Sequence, residues 1–212
     1  YNFDIGYRGI VKNYIQFDIS GFYLKYNNRV GTISSANASY RLITNVGASA
    51  SKGIETYVEF NPARAFSNTV YTDIILFSSY AYTDARYSAD HKDANTKDKK
   101  VENAPQDIFR GGISYGYKKI LITAQLSFVG ASFSDANNTI AASANGNTGR
   151  IPSYSITDLT ASYKFSKIVQ LRAGINNVWD VRYFTRRAGG YPGPGALPAD
   201  GRSFFFTIGA KL

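Results

Sequence analysis

The chain of 212 residues contains no cysteine, no methionine, one histidine and one tryptophan. Without cysteine, the sequence forms no disulfide bonds and offers no thiolate for catalysis or metal binding. It also lacks any run of about 18 apolar residues, and its mean hydropathy is −0.24. These features exclude a protein that crosses a membrane with helices. They do not exclude membrane-spanning strands, because only alternate residues of such a strand must be apolar.

Residues suited to catalysis or metal binding are also scarce. His91 lies in a segment rich in lysine and aspartate, and we interpret it as solvated. Asp90 and Asp93 lack the dense oxygen-ligand spacing of a calcium loop, and no phosphate-cradling glycine motif is present. The sequence therefore predicts neither an enzyme nor a bound cofactor or metal.

Positive charge is in excess, with a net charge of +9. In a soluble protein this would suggest a nucleic acid or another acidic surface as partner. Many of the basic residues fall in segments that we place in loops and turns, so we interpret the excess as solvated charge and expect no nucleic-acid partner.

Strand-like alternation dominates what is present, together with 17 tyrosines and 14 phenylalanines. In residues 120–128, the even positions carry Ile, Ile, Ala, Leu and Phe, while positions 123, 125 and 127 carry Thr, Gln and Ser. Successive side chains of a strand point to opposite faces, so such segments have one apolar and one polar face. We predict an all-β fold without helices. The nine predicted strands cover residues 1–8, 14–29, 42–60, 69–84, 106–117, 120–133, 153–165, 168–184 and 202–212.

The links between these strands alternate strictly between short and long. In an antiparallel up-and-down sheet, successive links lie at opposite ends, so all short turns meet at one rim and all long loops at the other. This asymmetry is typical of transmembrane β-barrels, which have short periplasmic turns and long extracellular loops. Bacterial single-chain barrels have an even number of strands. An odd set of nine, in a chain that opens on a strand without a leader, therefore predicts part of a larger barrel.

Four stretches resemble TonB-dependent outer-membrane receptors. They are residues 1–8 (YNFDIGYR), the pair Asn45-Val46-Gly47 and Lys52-Gly53-Ile54-Glu55, residues 173–183 (AGINNVWDVRY), and the amphipathic last strand with Phe204, Phe206, Ile208 and Leu212 on one face. Within the third stretch, we expect Asn176, Asn177, Trp179 and Asp180 to stabilise the fold locally. Residues 183–204 further resemble the ferric-dicitrate-type receptors of Bacteroidetes.

The resemblance implies a fold, a function and partners. Residues 1–212 would be the C-terminal portion of a 22-stranded barrel in the Gram-negative outer membrane, with the plug domain and early strands not included. Such receptors actively import a scarce nutrient, here an iron chelate such as a siderophore or ferric citrate. The implied partners are the TonB complex (through the N-terminal region), the barrel-assembly machinery, outer-membrane lipid and lipopolysaccharide, the ferric chelate and, in some members, a surface lipoprotein.

Two sets of residues are candidates for direct roles. Arg150, Arg186, Arg187 and Arg202 lie at predicted extracellular loops, where guanidinium groups suit the carboxylates of a citrate-like chelate. Structural ion pairs or a lipopolysaccharide contact are the alternatives for these arginines. Aromatic residues near strand ends predict membrane-interface belts, with ordinary cross-strand packing as the alternative. The predicted belt residues are Tyr23, Tyr26, Tyr80, Tyr82, Tyr115, Tyr117, Tyr163, Phe165 and Tyr183.

Two other functions are compatible with parts of this pattern. A passive pore or structural barrel in a surface complex would have the same wall but no dependence on TonB. A soluble carbohydrate-binding module of the all-β class would use its aromatic residues to stack on sugars, but it gives no reason for the sorting of short and long links.

Overall fold

The computed structural model describes residues 1–27, 30–34, 41–45, 47–66, 72–89, 95–191 and 193–211. The described elements are β1 (Asn2–Val11), β2 (Ile15–Tyr26), β3 (Val30–Ser34), β4 (Arg41–Asn45), β5 (Ser49–Phe60), α1 (Pro62–Phe66), β6 (Thr72–Tyr87), β7 (Asp107–Tyr117), β8 (Ile120–Val129), β9 (Ser132–Phe133), β10 (Arg150–Ile151), β11 (Tyr154–Lys164), β12 (Val169–Asn176), β13 (Phe184–Ala188), β14 (Gly195–Pro198) and β15 (Ser203–Ala210). The prediction of an all-β fold is confirmed.

Within the described ranges, nine long strands form one antiparallel sheet in the order β1-β2-β5-β6-β7-β8-β11-β12-β15. Each long strand pairs with the next along the chain, so the predicted up-and-down arrangement is also confirmed. We call the end of the sheet that carries residues 12–14, 118–119 and 165–168 the short-turn rim. The opposite end, with the connections β2–β5, β6–β7, β8–β11 and β12–β15, is the long-loop rim.

Register separates the side chains into two faces. Ile113, Ala124, Leu159, Ile175 and Phe204 are successive cross-strand partners across five strands. Directly paired residues in an antiparallel sheet share a face. This row is solvent-accessible, with Ile113 45% and Phe204 71% exposed. We call this side of the sheet the apolar face.

The opposite side is the polar face, and it is concave. Thr123, Gln125, Asp158, Thr160 and Arg172 line one hollow along it. Their neighbours in sequence point to the apolar face, so the alternation seen in the sequence corresponds to two chemically distinct surfaces. The sheet is thus curved around a polar interior.

Large aromatic rings on the polar face lie opposite glycines. An alanine Cβ placed at each of these glycines would come within 2.7 Å of a ring carbon of its partner. The glycines therefore leave room for the rings to lie against the backbone, as in other aromatic–glycine cross-strand pairs. The pairs are Phe22 with Gly53, Phe77 with Gly112, and Phe205 with Gly174.

The prediction of no helix was wrong at α1. The Asn61 side-chain Oδ1 accepts a hydrogen bond from the backbone N–H of Arg64 at 3.0 Å, which is an N-cap contact. Pro62 occupies the first helical position, where its missing N–H costs nothing. Among the described residues, no helix has the length and apolar character needed to cross a bilayer.

Some predicted strands were too long. The strand predicted over 168–184 ends at Asn176, because Asn177 takes a positive φ of 51° and turns the chain. The strand predicted over 42–60 is divided, since Gly47 with a φ of 122° separates β4 from β5. Three short hairpins also occur at the long-loop rim, namely β3–β4, β9–β10 and β13–β14. Strands β3, β10 and β14 lie in predicted loops, whereas β4 and β9 overlap the predicted strands 42–60 and 120–133.

The most buried cluster of apolar residues lies at the long-loop rim and not between layers of structure. Ala85, Tyr87 and Val101 form it, with Ala104 and Ala136 packed against them. The sheet itself is one layer with large apolar side chains open on its convex side. Such a layer requires an apolar environment outside it.

Candidate functional site

The concave wall bears both signs of charge. Arg8 forms an ion pair with Asp18 across β1 and β2, with 3.4 Å between Nε and Oδ2. Glu55 and Arg110 line a second hollow on the polar face, together with Arg8, Asp18 and Asp4. These groups require water or polar protein against them, because unpaired charges are costly in an apolar environment. The wall can therefore face an aqueous or protein-filled lumen.

Two long loops interlock above this wall. Asn138 binds the backbone of Lys100 in both directions, with its Oδ1 accepting from the N–H at 2.7 Å and its Nδ2 donating to the carbonyl at 2.8 Å. The Asn103 N–H donates to the Phe133 carbonyl at 2.7 Å. These contacts join the β6–β7 and β8–β11 connections into one unit at the rim.

Arg187 joins the β12–β15 connection to this unit. Its guanidinium donates to the Gly146 carbonyl at 2.8 Å and to the Arg150 carbonyl at 3.3 Å. It also lies over the Phe184 ring, 4.9 Å from the centroid. The sequence predicted a ligand contact for Arg187, but the structure places its guanidinium in contacts that hold loops together. Residue type alone did not distinguish these roles.

The other three predicted arginines reach the same rim with exposed side chains. Arg150 lies in β10 opposite Phe133, and Arg186 lies in β13 opposite Leu197. Arg202 precedes β15, and its backbone N–H is bound by Asp180 at 2.9 Å. Within the described part of the chain, these three guanidinium groups have no hydrogen-bond or ion-pair partner.

A polar turn after β12 holds the base of the last long loop. The Asn177 side chain donates to the Val181 carbonyl and accepts from its N–H, both at 2.9 Å. The Asn177 N–H donates to Asp158 Oδ1 at 2.8 Å. Asn177 is only 3% exposed. These contacts are local and structural, as the sequence predicted for Asn177.

Asp180 completes this turn. The backbone N–H of Arg202 is the main cause of a lowered pKa for the Asp180 carboxyl, and the positive charges of Arg182 and Arg202 act in the same direction. Gly201 lies close beside it, since an alanine Cβ there would come within 2.6 Å of Asp180 Oδ1 and the carboxylate would have to shift. The turn thus connects β12 to the start of β15. Trp179, in contrast, is 72% exposed.

Most of the predicted belt residues lie on the apolar face in two bands. Pairing places Tyr23, Tyr80 and Tyr82 on that face toward the long-loop rim. Near the short-turn rim are Tyr115, Tyr117, Tyr163 and Phe165, the last following β11. Two aromatic bands separated by aliphatic side chains are the arrangement expected at two membrane interfaces.

Two belt assignments do not agree with the structure. Tyr26 pairs with Ser49 on the polar face, because it is three residues from Tyr23 and a strand alternates with period two. Tyr183 stacks on Tyr154 with 4.3 Å between ring centroids, and Tyr154 also belongs to the polar face. Neither residue is placed to contact lipid with the outward bands.

The remaining predicted residues divide between the last strand and undescribed positions. Phe204, Phe206 and Ile208 lie on the apolar face of β15 and are at least 65% exposed. Leu212, His91, Asp90 and Asp93 lie outside the described residues. Among the residues that are described, no group of three or more His, Asp or Glu side chains is arranged to hold a metal ion.

A single curved sheet with a convex apolar face, a polar hollow, two aromatic bands and unequal rims is a wall segment of a transmembrane β-barrel. Residues 1–178 match the family model described as TonB dependent receptor-like, beta-barrel, and the chain belongs to this family. Barrels of this family are multi-pass proteins of the Gram-negative outer membrane, and the family consists of receptors and transporters, not enzymes.

Solved structures support the same fold. The chain is similar to the ferric citrate transporter FecA in the unliganded form, with 21% identity and a TM-score of 0.81 over 99% of this chain and 30% of that one. The siderophore receptor PiuA from Acinetobacter baumannii has 22% identity and a TM-score of 0.69, and the match covers 99% of this chain and 28% of that one. The copper transporter OprC has 17% identity and a TM-score of 0.73, and the match covers 99% of this chain and 30% of that one. This chain thus spans at most 30% of the length of each.

Proposed function

We propose that this chain forms part of the wall and extracellular lip of a TonB-dependent importer for an iron chelate, either a siderophore or a ferric-citrate-like complex. The family match over residues 1–178 carries the proposal. Two of the similar structures are, by name, a ferric citrate transporter and a siderophore receptor. The polar hollow beneath interlocked loops supports it, since a hydrophilic chelate needs a polar surface to approach.

The chelate would meet the arginines at the lip. Arg150, Arg186 and Arg202 present guanidinium groups that can bind carboxylates through paired hydrogen bonds. Arg187 would act as a positioning residue, because its contacts with Gly146 and Arg150 hold the β13–β14 hairpin against the neighbouring loop. In this proposal the protein binds and releases its cargo without a covalent step.

The partners in this proposal act at different places. The TonB complex would supply energy through an N-terminal plug region, and the barrel-assembly machinery would receive the strand containing Phe204, Phe206 and Ile208. Lipopolysaccharide would surround the apolar face, and a surface lipoprotein could cover the lip.

Uptake of radioactive iron presented as ferric citrate, or as a defined siderophore complex, tests the transport proposal. Cells that carry the full-length receptor should accumulate iron, and cells without it should not. A protonophore that collapses inner-membrane energy should abolish accumulation. Uptake that continues after the protonophore would indicate a passive pore instead, and equal uptake with and without the receptor would contradict the proposal.

Paired substitutions test the ligand residues. Replacing Arg186 and Arg202 together by Gln should weaken chelate binding to the full-length receptor by about tenfold or more, since a hydrogen bond to a charged group is worth about 1.5–3 kcal/mol. The matched control replaces Lys118 and Lys119 by Gln at the short-turn rim, which removes the same charge far from the lip. Equal affinity in the parent and both variants would refute the role of these arginines, while leaving the transport proposal intact.

A further inference from the structure

Three lysine side chains surround a small hollow on the polar face at the short-turn rim. Lys164 is the cross-strand partner of Gln170, and Gln170 is in turn the partner of Gly209 in β15. Lys211 lies two positions beyond Gly209 and therefore points to the same face. Lys167 lies in the turn between β11 and β12, and all three lysines line the hollow. We call Lys164, Lys167 and Lys211 the rim lysines.

Hydrogen bonds fix the turn that carries Lys167. The Ser166 side-chain Oγ accepts from the backbone N–H groups of Ile168 and Val169, at 3.1 and 3.0 Å. The backbone N–H of Lys211 donates to the Ile168 carbonyl at 2.9 Å, which joins the end of the last strand to this turn. The hollow is therefore a formed feature of the rim. The Ser166 hydroxyl also lines it and can still donate its own proton.

The rim lysines carry positive charge that no carboxylate balances. Among the described residues, no acidic side chain lines the small hollow. Across the same ranges, the three ammonium groups have no hydrogen-bond or ion-pair partner, and the side-chain amide of Gln170 also has none. Three cations beside neutral donors favour an anion that offers several oxygen atoms.

The small hollow continues into the larger polar hollow on the same wall. Gln170 lines both hollows, and Arg172 in the larger one lies two residues farther along β12, about 7 Å away. The Arg172 guanidinium lies over the Phe205 ring, 5.6 Å from its centroid. Within the described part of the wall, this guanidinium has no hydrogen-bond or ion-pair partner. Cationic donors thus follow one another from the middle of the wall to the short-turn rim.

The excess of positive charge is confined to one side of the polar face. The second hollow, on β1, β2, β5 and β7, has three carboxylates and two guanidinium groups, namely Asp4, Asp18, Glu55, Arg8 and Arg110. On β11, β12 and β15, Asp158 is the acidic residue beside Arg172 and the rim lysines, and its Oδ1 already accepts from the Asn177 N–H at 2.8 Å. An anion at this wall is therefore attracted to the β11–β15 side.

We propose that the rim lysines form a second, exit-side binding site for a polycarboxylate anion, the class of cargo to which ferric citrate belongs. The short turns of such barrels lie in the periplasm, so an anion that leaves the lumen passes these lysines last. The exit role rests on the proposed import function, because it needs an anionic cargo that crosses the lumen. Exposed lysines bind such an anion weakly, which suits a site that must release it.

Binding of radiolabelled citrate to the purified full-length receptor tests the site itself. The background carries Arg186→Gln and Arg202→Gln, so that citrate bound at the lip does not mask the measurement. Replacing the rim lysines by Gln should weaken the remaining binding about tenfold or more, because charge-assisted hydrogen bonds are lost. Replacing them by Arg should preserve it. The matched control replaces Lys12, Lys118 and Lys119 by Gln in other turns of the same rim and should bind citrate as the background does.

Gly209 offers a test that keeps all three lysines. A Cβ there would meet its nearest atom, the Gln170 carbonyl oxygen, at 3.8 Å, so a side chain fits. Gly209→Glu places a carboxylate among the ammonium groups. It should bind citrate about tenfold more weakly than Gly209→Gln, which has the same size without the charge.

Several outcomes of these binding measurements would overturn the proposal. They are unchanged binding after the lysine-to-Gln replacement, an equal loss in the matched control, and equal binding by the two Gly209 variants. Displacement of citrate by an equal concentration of acetate would show unspecific charge attraction. A lower thermal unfolding midpoint of the lysine-to-Gln variant without citrate would show that acidic groups of the receptor itself occupy the lysines. Each of these last two results would overturn the proposal as well.

Iron uptake by cells tests the exit role. With ferric citrate as cargo, the lysine-to-Gln variant should lower the maximal uptake rate about tenfold, since a cleft of one charge raises the local concentration of its ligand by that order. The half-saturating concentration is set at the lip and should not change. An unchanged maximal rate would overturn the exit role. No energy-dependent uptake by the parent would instead contradict the transport proposal, and lysine-dependent citrate binding would still establish the anion site.

Discussion

Single residues decide where the strands of this barrel stop. Asn177 and Asp180 both take positive φ values, of 51° and 53°, in the turn after β12. Asparagine and aspartate tolerate this region better than most residues because their short side chains can bond to the nearby backbone. Alternation alone predicted a strand through this turn, since Trp179 and Val181 continue the apolar pattern of odd-numbered positions, which local hydrogen bonding interrupts.

Asp180 makes the turn sensitive to acid. Its folded pKa lies below the ordinary value of 3.8, chiefly because the Arg202 N–H bonds to the carboxylate. Its contribution to stability is therefore fully present above the unfolded pKa and is lost as the pH falls through the lower, folded pKa. Asp180→Asn should destabilise the full-length barrel at neutral pH. The difference in stability between the variant and the parent should become smaller below about pH 4.

Thermal unfolding midpoints of the detergent-solubilised receptor, measured from pH 7 to pH 2.5, check this dependence. Asp200→Asn is the control, because Asp200 accepts a hydrogen bond from the Asn177 side chain through its backbone carbonyl and not through its carboxylate. A constant difference between Asp180→Asn and the parent across the whole range would contradict the assignment.

Glycine on the polar face gives a second prediction at this scale. At Gly53, an alanine Cβ would lie 2.2 Å from the Tyr82 carbonyl oxygen and 2.6 Å from the Phe22 ring. Because one of these neighbours is backbone, Gly53→Ala should destabilise the barrel by about 1–3 kcal/mol or more. Gly21→Ala in the paired strand should be tolerated, since the nearest atom would lie at 3.8 Å. Urea unfolding in lipid vesicles compares the two variants. Equal unfolding midpoints would show that the backbone shifts at Gly53 without loss of stability, which contradicts the prediction.

Elements formed by the alternating pattern were predictable, and those held by distant contacts were not. All nine long strands were found from the sequence, because most of them carry a period-two pattern, although residues 74–77 of β6 are apolar on both faces. The two-residue strands β9 and β10 have no such pattern and depend on pairing across a long connection. Helix α1 had a local indication, an asparagine followed by proline, which the strand-based interpretation overlooked.

The candidate site shows the same division. The position of the arginines at the long-loop rim followed from link lengths, but their roles did not. Arg187 reaches Gly146, which is 41 residues away in the chain. No local pattern reports such a contact. In contrast, the placement of Tyr26 on the polar face was available from counting, since Tyr23 and Tyr26 differ by an odd number of positions.

The β13–β14 hairpin should loosen when its arginine contact is removed. Arg187→Ala deletes two hydrogen bonds from a charged donor, each worth about 1.5–3 kcal/mol. Residues 141–149 should therefore be cleaved on the order of tenfold faster by proteases other than trypsin. Arg186→Ala removes the adjacent, exposed arginine and should leave the cleavage pattern unchanged. Limited proteolysis of the full-length receptor with mass spectrometry would locate the cuts. Equal cleavage rates in both variants would remove the positioning role from Arg187.

Over the whole molecule, the buried side chains and the exposed apolar surface lie in unusual places. The Ala85–Tyr87–Val101 cluster packs at the long-loop rim, whereas the sheet exposes Ile, Leu, Tyr and Phe across its convex side. In water this surface would drive aggregation. In a bilayer, lipid covers this surface. The packed interior therefore lies among the loops, and the sheet is stabilised by contact with the membrane.

Adjacent residues of β8 should therefore respond oppositely to the same charge. Leu126 lies on the apolar face opposite Gly111 and Thr157, and Gln125 lies on the polar face opposite Gly112 and Asp158. Leu126→Arg places a cation against hydrocarbon and should cost up to about 2–4 kcal/mol, depending on its depth. Gln125→Arg places it in the hollow beside the Asp158 carboxylate and should be tolerated. The measurement is the fraction of full-length receptor that reaches the outer membrane and migrates as a compact, heat-modifiable band. If Gln125→Arg failed to assemble while Leu126→Arg assembled normally, the apolar face would be the interior of the barrel. The lipid-facing surface and the polar hollow would then have to be reassigned.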